Sequence, residues 1–354
     1  MKNFNRNFWN GKKVFITGHT GFKGSWLTII LKSLKSKIYG FSLKPPKKSL
    51  FNQSRIKYDL AGNTFGDINN LSLLRNKIKS FKPEIIFHLA AQPLVIDSYK
   101  DPLKTFQTNV MGTINLLESI RGIKSIKSVI IITTDKVYKI KKSNKNYTES
   151  DELGGHDPYS SSKVAAEFAV NSYIKSFFKT ENLKNRICTA RAGNVIGGGD
   201  YAKNRLVPDI IKTINNNSKL IIRNPNSIRP WQHVIEPLVG YLILAEYQYK
   251  NKSVDKNNSW NFGPNRNNFV KVIKVLNIIK KLKPLNFSIK KNILFKETEI
   301  LRLNSNKSKK KLKWISKMDI KSSLIKVLEW NHLVKKNIPA REVCEKQFFM
   351  YINH

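Results

Sequence analysis

The sequence predicts an α/β protein: a doubly wound parallel sheet with a smaller, mostly helical α+β domain behind it. Three observations carry that expectation. Apolar runs such as Val14-Phe15-Ile16 and Val129-Ile130-Ile131-Ile132 are too short for helices and rich in β-branched residues, so they read as buried parallel strands. Amphipathic segments of helical length alternate with such runs, as crossover connections require. A glycine triplet, Gly18, Gly21 and Gly24, stands between the first strand and the first helix. With 354 residues the chain can hold one large or two modest domains. We divide it into residues 1–190, the sheet domain, and 191–354, with part of 233–262 returning to the sheet domain.

Composition narrows the function classes. Lys and Arg number 64 against 24 Asp and Glu, a formal net charge of +40. Such a balance suits nucleic acid, an anionic membrane surface or an acidic substrate. The lysines, however, are scattered and interleaved with asparagine, as in Lys141–Asn146, Lys250–Asn258 and Asn304–Lys311. No zinc-ligand spacing, RNP-like aromatic signature or basic heptad accompanies them, so neither a metal nor a specific nucleic-acid partner is expected. Weak, salt-sensitive polyanion binding is the expected side effect. Cys188 and Cys344 do not make a disulfide framework, which fits a reducing compartment. No signal-peptide core precedes Gly11 and no apolar run approaches a membrane span. A cytoplasmic protein without membrane contact is expected.

Taken in order, Lys12–Thr17 is the first strand and a helix runs from the glycine loop to about Leu34. In Gly18-His19-Thr20-Gly21-Phe22-Lys23-Gly24, the first glycine allows a tight turn and the second lets backbone N–H groups reach a pyrophosphate. The third lets helix and strand pack closely. This is a Rossmann-type dinucleotide site. Lys37–Leu43 is strand two, and residues 37–53 contain no acid to bind a ribose diol, which leaves NADP open beside NAD. Strand three ends near Phe65, followed by Asp67 and Ile68; Asp67 either meets the adenine amino group or closes a surface turn. Strand four, Glu84–Leu89, ends in Leu89-Ala90-Ala91, small enough for a cofactor to lie on the backbone. A helix over Leu103–Ile120 carries Asn109, either a cofactor ligand or a satisfied core residue.

The chemistry concentrates between Ser128 and Lys163. The strand Val129–Ile132 ends in Thr133-Thr134-Asp135-Lys136, and ligands of open α/β sheets bind at that end of the strands. Pro158 signals a helix start, so Tyr159 and Lys163 share a face at i and i+4. A lysine beside the phenol is expected to lower its pKa from about 10 towards working pH. That arrangement gives an acid/base for a sugar hydroxyl. A sixth strand covers Arg186–Ala190. Beyond it come a loop at Gly193–Asp200, a helix near Leu206–Asn215, a strand at Leu220–Ile222, the string Arg229–Val234 and a helix over Leu238–Tyr249. Helical stretches near 269–281 and 320–335 follow. Asn194, Arg205 and Arg229 suit a nucleotide diphosphate, although Arg205 also reads as a surface arginine.

The strings Gly18-x-x-Gly21-x-x-Gly24, His88-Leu89-Ala90-Ala91, Thr133-Thr134-Asp135-Lys136-Val137-Tyr138 and Tyr159-x-x-x-Lys163 together resemble the extended short-chain dehydrogenase/reductase family. Gly154–Lys163, Arg191–Asp200 and Arg229–Val234 are similar to its nucleotide-sugar 4,6-dehydratases, and the likeness runs from Phe8 to Trp314. The resemblance implies NAD as cofactor, CDP-glucose as substrate, and a homodimer formed through the helices around 103–120 and 159–178. It implies that Tyr159, assisted by Lys163 and Thr134, takes the proton of the sugar 4-hydroxyl as hydride leaves C4. Asp135, kept protonated by burial, would protonate the departing 6-hydroxyl, and hydride would return to C6. Lys136 stands where most such enzymes carry a glutamate that removes the C5 proton; it either acts as that base or stabilises the enolate. Cofactor contacts are implied for Gly18, His19, Thr20, Gly21, Phe22, Lys23, Gly24, Asp67, Ile68, Leu89, Ala90, Ala91, Asn109, Thr133, Tyr159 and Lys163. Substrate contacts are implied for Gln92, Ser98, Asn194, Arg205, Leu206, Arg229 and His233. The rivals are a nucleotide-sugar 4-epimerase, which needs no acid at C6, and a non-catalytic NAD- or polyanion-binding protein.

Overall fold

The computed structural model describes residues 4–140, 146–178, 183, 186–251, 258–290 and 302–353. Parts of the Lys/Asn-rich runs, 141–145 and 252–257, lie outside the described residues. Six parallel strands come first: β1 (Lys13–Thr17), β2 (Lys37–Ser42), β3 (Gly62–Phe65), β4 (Ile85–His88), β5 (Ser128–Ile132) and β6 (Ile187–Ala192). After β7 (Asn194–Ile196), β8 (Lys219–Ile222) and β9 (Ile228–His233), the chain returns to the sheet with β10 (Ser259–Phe262). The order is β10-β6-β5-β4-β1-β2-β3. Strand order reverses between β1 and β4, and the crevice at that point is where ligands of such sheets bind. β11 (Phe269–Lys271) and β12 (Asn286–Ile289) complete two small sheets, β11-β9-β7 and β12-β8.

Every residue of β4 and β5 is buried because both faces of the sheet are covered. Val14, Ile16, Phe87, Ile130 and Ile132 point to one core, with Trp26, Leu238 and Phe348 from the helices Phe22–Ser33, Ile235–Lys250 and Ala340–Asn353. Phe15, Ile86, Val129 and Ile131 point to the other, with Leu74, Leu116 and Val170 from the helices Leu71–Phe81, Gly112–Ile120 and Pro158–Ser176. Strand alternation thus divides one apolar run between two layers. Each fully buried side chain of this size contributes about 2 kcal/mol over leaving it in water. A third core, with Val207, Trp231 and Leu324, holds the smaller domain's helices Leu206–Asn216, Val272–Leu282 and Ile320–Lys335 to β8, β9 and β11.

Three expectations are corrected, and one helix is added. The helix over Leu103–Ile120 is interrupted: it starts at Pro102, passes through a π turn at Gln107–Met111 and resumes at Gly112. The Gly193–Asp200 run is not loop throughout, because Asn194–Ile196 pairs in parallel with β9. The segment near 269–281 opens as strand, with Phe269 paired to Pro230, and turns helical at Val272. The C-terminal helix Ala340–Asn353, not expected from sequence, packs on the Phe22–Ser33 helix. No helix among the described residues is long and apolar enough to cross a membrane.

Candidate active site

The glycine loop leaves β1 at the reversal point. Gly18 has a φ of +74°, and a Cβ there would lie 2.6 Å from the Ala90 amide nitrogen, so only glycine fits against the end of β4. A Cβ on Gly24 would meet the Gly18 carbonyl oxygen at 2.1 Å, which binds helix to loop. Gly21 differs: a Cβ there would touch only the Gly18 oxygen, at 3.4 Å, leaving open space above it. Gly21 also caps the Phe22–Ser33 helix without a side chain, and the first turn holds no acid. Unclaimed amides at a helix start over an open glycine fit the pyrophosphate of a dinucleotide. The His19 ring lies beneath, buried and bonded through Nε2 to Asn63 Oδ1 at 2.6 Å; burial lowers its pKa to about 4, so it is neutral. Gly40 makes room for that ring. Thr20 is tied to Ser42 and the Leu43 carbonyl at the end of β2. The Phe22 ring reaches towards Gly197 at the start of the second half.

The next strand end brings the reactive groups together. Asp157 caps the Pro158–Ser176 helix in a reciprocal capping box with Ser160, fixing its first turn and therefore Tyr159 and Lys163. Lys163 is buried, with Nζ 3.4 Å from the Ile132 carbonyl; burial lowers its pKa to about 8, against the opposing charge of Glu167. The phenol departs from expectation. Burial raises the Tyr159 pKa to about 12, negative charge at Asp135 pushes the same way, and a hydrogen bond with Thr134 only partly offsets them. The lysine does not draw the phenol down because its ammonium is turned to the strand. Asp135 is fully buried: Oδ1 accepts from Thr134 Oγ1 at 3.0 Å and from Lys136 Nζ at 3.4 Å, while Oδ2 is buried without a hydrogen-bond partner among the described residues. Lys23, from the glycine-loop helix, joins this group. Burial and the charges of Arg205 and Lys163 lower its pKa to about 8. Arg205 is itself paired with Asp200 at 3.0 Å.

Several expected ligands are spent elsewhere. Asn109, inside the π turn, accepts from the Gln92 N–H and donates to the Gln92 carbonyl and to Ser162 Oγ at 2.9 Å. It is a buried clamp between the β4 loop and the Tyr159 helix. The Gln92 side chain bonds Leu94 and Thr105, and the buried Ser98 hydroxyl donates to the Val95 carbonyl, so neither offers a hydrogen to substrate. The His233 ring lies in the core edge-on to Trp26, and burial lowers its pKa to about 3. Asp67 is exposed and closes a turn through Asn69, while Ile68 is core under Gly112. Leu206 packs against the third core. Leu89, Ala90 and Ala91 are half-buried beside Gly18, Thr133 is bonded to Glu167, Asn194 lies on β7 opposite Trp231, and the largely buried Arg229 donates to the Ile228 carbonyl. Glu167 and its partner Arg191 were missed as site residues, although Glu167 extends the Tyr159/Lys163 spacing by one more helical turn.

A reversal-point cradle beside a Tyr-x-x-x-Lys helix defines an extended short-chain dehydrogenase/reductase. The GDP-mannose 4,6 dehydratase family profile matches residues 15–327. CDP-glucose 4,6-dehydratase of Salmonella typhimurium is 42% identical over 335 residues, covering 92% of both chains. The dTDP-D-glucose 4,6-dehydratase of Dictyostelium discoideum is 33% identical over 60% of this chain and 50% of its own. Among solved structures, dTDP-glucose 4,6-dehydratase of Bacillus anthracis, in complex with NAD, superposes with a TM-score of 0.76 at 23% identity, over 92% of this chain and 98% of its own. The chain belongs to the GDP-mannose 4,6 dehydratase family, the nucleotide-sugar dehydratases of the extended short-chain class.

Proposed function

We propose that the protein is a lyase that converts CDP-glucose to CDP-4-dehydro-6-deoxyglucose, using NAD held in the glycine cradle. One observation carries this reading: a buried carboxyl group, Asp135, sits at the strand end beside the Tyr159 phenol, where a 4-epimerase has no use for an acid. The 42% identity to the Salmonella enzyme over nearly the whole chain supports the choice of CDP-glucose. When bound, NAD supplies a reversible hydride acceptor. Tyr159, hydrogen-bonded with Thr134, takes the 4-hydroxyl proton, and the Arg205 charge favours its anion at that moment. Asp135 delivers a proton to the leaving 6-hydroxyl. Lys136, 3.4 Å from Asp135, either removes the C5 proton or holds the enolate. Arg229 and Arg205 receive the diphosphate, with Asn194 and Leu206 beside them.

We assign it to the cytoplasm as a homodimer that serves deoxysugar synthesis for surface polysaccharide. The helices Pro102–Phe106 and Pro158–Ser176 support pairing, since Leu103 and Phe168 are 69% and 58% exposed on them. The test is incubation with CDP-, dTDP-, UDP- and GDP-hexoses, followed by the base-induced absorbance of a 4-keto-6-deoxy sugar. Product from CDP-glucose alone is expected. Product from another nucleotide sugar and none from CDP-glucose overturns the substrate.

A further inference from the structure

Below the reactive strand end lies a charged pair that the reaction itself does not use. Glu167 is wholly buried one turn beyond Lys163, and Arg191 on β6 is 2% exposed. Both carboxylate oxygens are engaged: Oε1 accepts from Arg191 Nε at 2.8 Å and from Thr133 Oγ1 at 2.7 Å, and Oε2 accepts from Arg191 Nη2. The guanidinium goes on to donate to the Tyr138 hydroxyl at 2.8 Å and to Ser259 Oγ at 3.1 Å on β10. Tyr138 in turn donates to Asn261. One ion pair therefore ties β5, β6, β10 and the turn after Lys136 to the helix that carries Tyr159 and Lys163.

A buried ion pair is weak evidence for stability, because desolvation offsets most of the attraction. Its place suggests another use. We propose that Glu167 and Arg191 form a positioning pair: it fixes the Thr133–Lys136 strand end against the Tyr159 helix and compensates the Lys163 ammonium. The proposal rests on the reading of Tyr159 and Lys163 as the acid/base pair. The groups facing Glu167 are Lys163 on its own helix, Thr133 just past β5 and Arg191 on β6. Behind Arg191 stand Tyr138, Ser259 and, further out, Glu149 and Lys307. Glu167 is the anion that opposes the burial of Lys163, and Thr133 adjoins the residue shared by Asp135 and Tyr159. Loss of its charge would disfavour the ammonium, and loss of its bonds would release the strand end.

The experiment needs no substrate for its first reading. The lysines of the full chain are reductively methylated with carbon-13 and titrated by NMR, the Lys163 signal being assigned with Lys163→Arg. In the wild type the midpoint is expected at about 8. In Glu167→Gln it falls by about one unit, a tenfold change in the protonation equilibrium, whereas Glu167→Asp restores most of it. Turnover falls about tenfold in Glu167→Gln with KM changed less than about twofold, as loss of a purely transition-state contact requires. Should that variant not fold, Glu167→Gln/Arg191→Met leaves no lone buried cation and shows the same fall, smaller in size. An unchanged Lys163 midpoint in a folded variant overturns the proposal. So does a loss of turnover that only tracks the melting temperature. A wild type that titrates as expected yet turns over no nucleotide sugar counts against the proposed function instead.

Discussion

In the proposed reaction Tyr159 takes the first proton, and its phenol is held above the usual range, at about 12, chiefly by burial. A phenol that weakly acidic is scarcely ionised near neutral pH, so it serves as a base only when further positive charge arrives beside it, which ties its action to an occupied nicotinamide site. Tyr159→Phe is expected to lower turnover about a thousandfold while protein-bound NAD, measured after extraction, stays at the wild-type level. The pair Tyr159 and Lys163 was legible because helical spacing alone puts both on one face, and Asp135 because a strand end addresses the ligand crevice. Asn109, Gln92 and His233 were not legible. A polar side chain's partners come from distant segments: Asn109 reaches Ser162, 53 positions away, and no local pattern announces it.

Among elements, the Ile235–Lys250 helix carries a second consequence of burial. Glu236, at its start, accepts from the Lys317 and Met318 N–H groups and from Ser316, anchoring the 314–318 segment. Burial nonetheless raises its pKa from 4.5 to about 7. A group raised on folding contributes stability that is fully present below its unfolded value and lost as pH climbs through the folded value. Between pH 4.5 and 7 the loss from this group is roughly 3 kcal/mol. Chemical unfolding across that window is expected to show Glu236→Gln losing less stability with rising pH than the wild type; parallel slopes would remove Glu236 as the cause. Strands and most helices were readable from alternation and caps. The π turn was not, because it arises where Asn109 turns inward to a neighbouring helix. The Ala340–Asn353 helix buries a stripe at helical spacing, Val343, Cys344, Phe348 and Tyr351, which local sequence does carry.

For the whole molecule, the sheet of residues before 192 needs β10 from beyond 258 to complete it, so the two halves interlock rather than follow one another. From sequence, only the return of part of 233–262 to the sheet domain is expected, and the register of β10 beside β6 follows only from the three-dimensional path. At the same scale, the proposed homodimer predicts that sedimentation shows a dimer for the wild type and a monomer for Leu103→Glu/Phe168→Glu; a variant that stays dimeric would place the interface elsewhere. The central claim is that a buried carboxyl group beside the phenol expels water from the sugar. Its most direct test is turnover of CDP-glucose by Asp135→Asn, followed as the 4-keto-6-deoxy product at saturating NAD. We expect product formation to fall at least about a hundredfold with NAD still bound. Dehydration by Asp135→Asn at the wild-type rate would contradict the account.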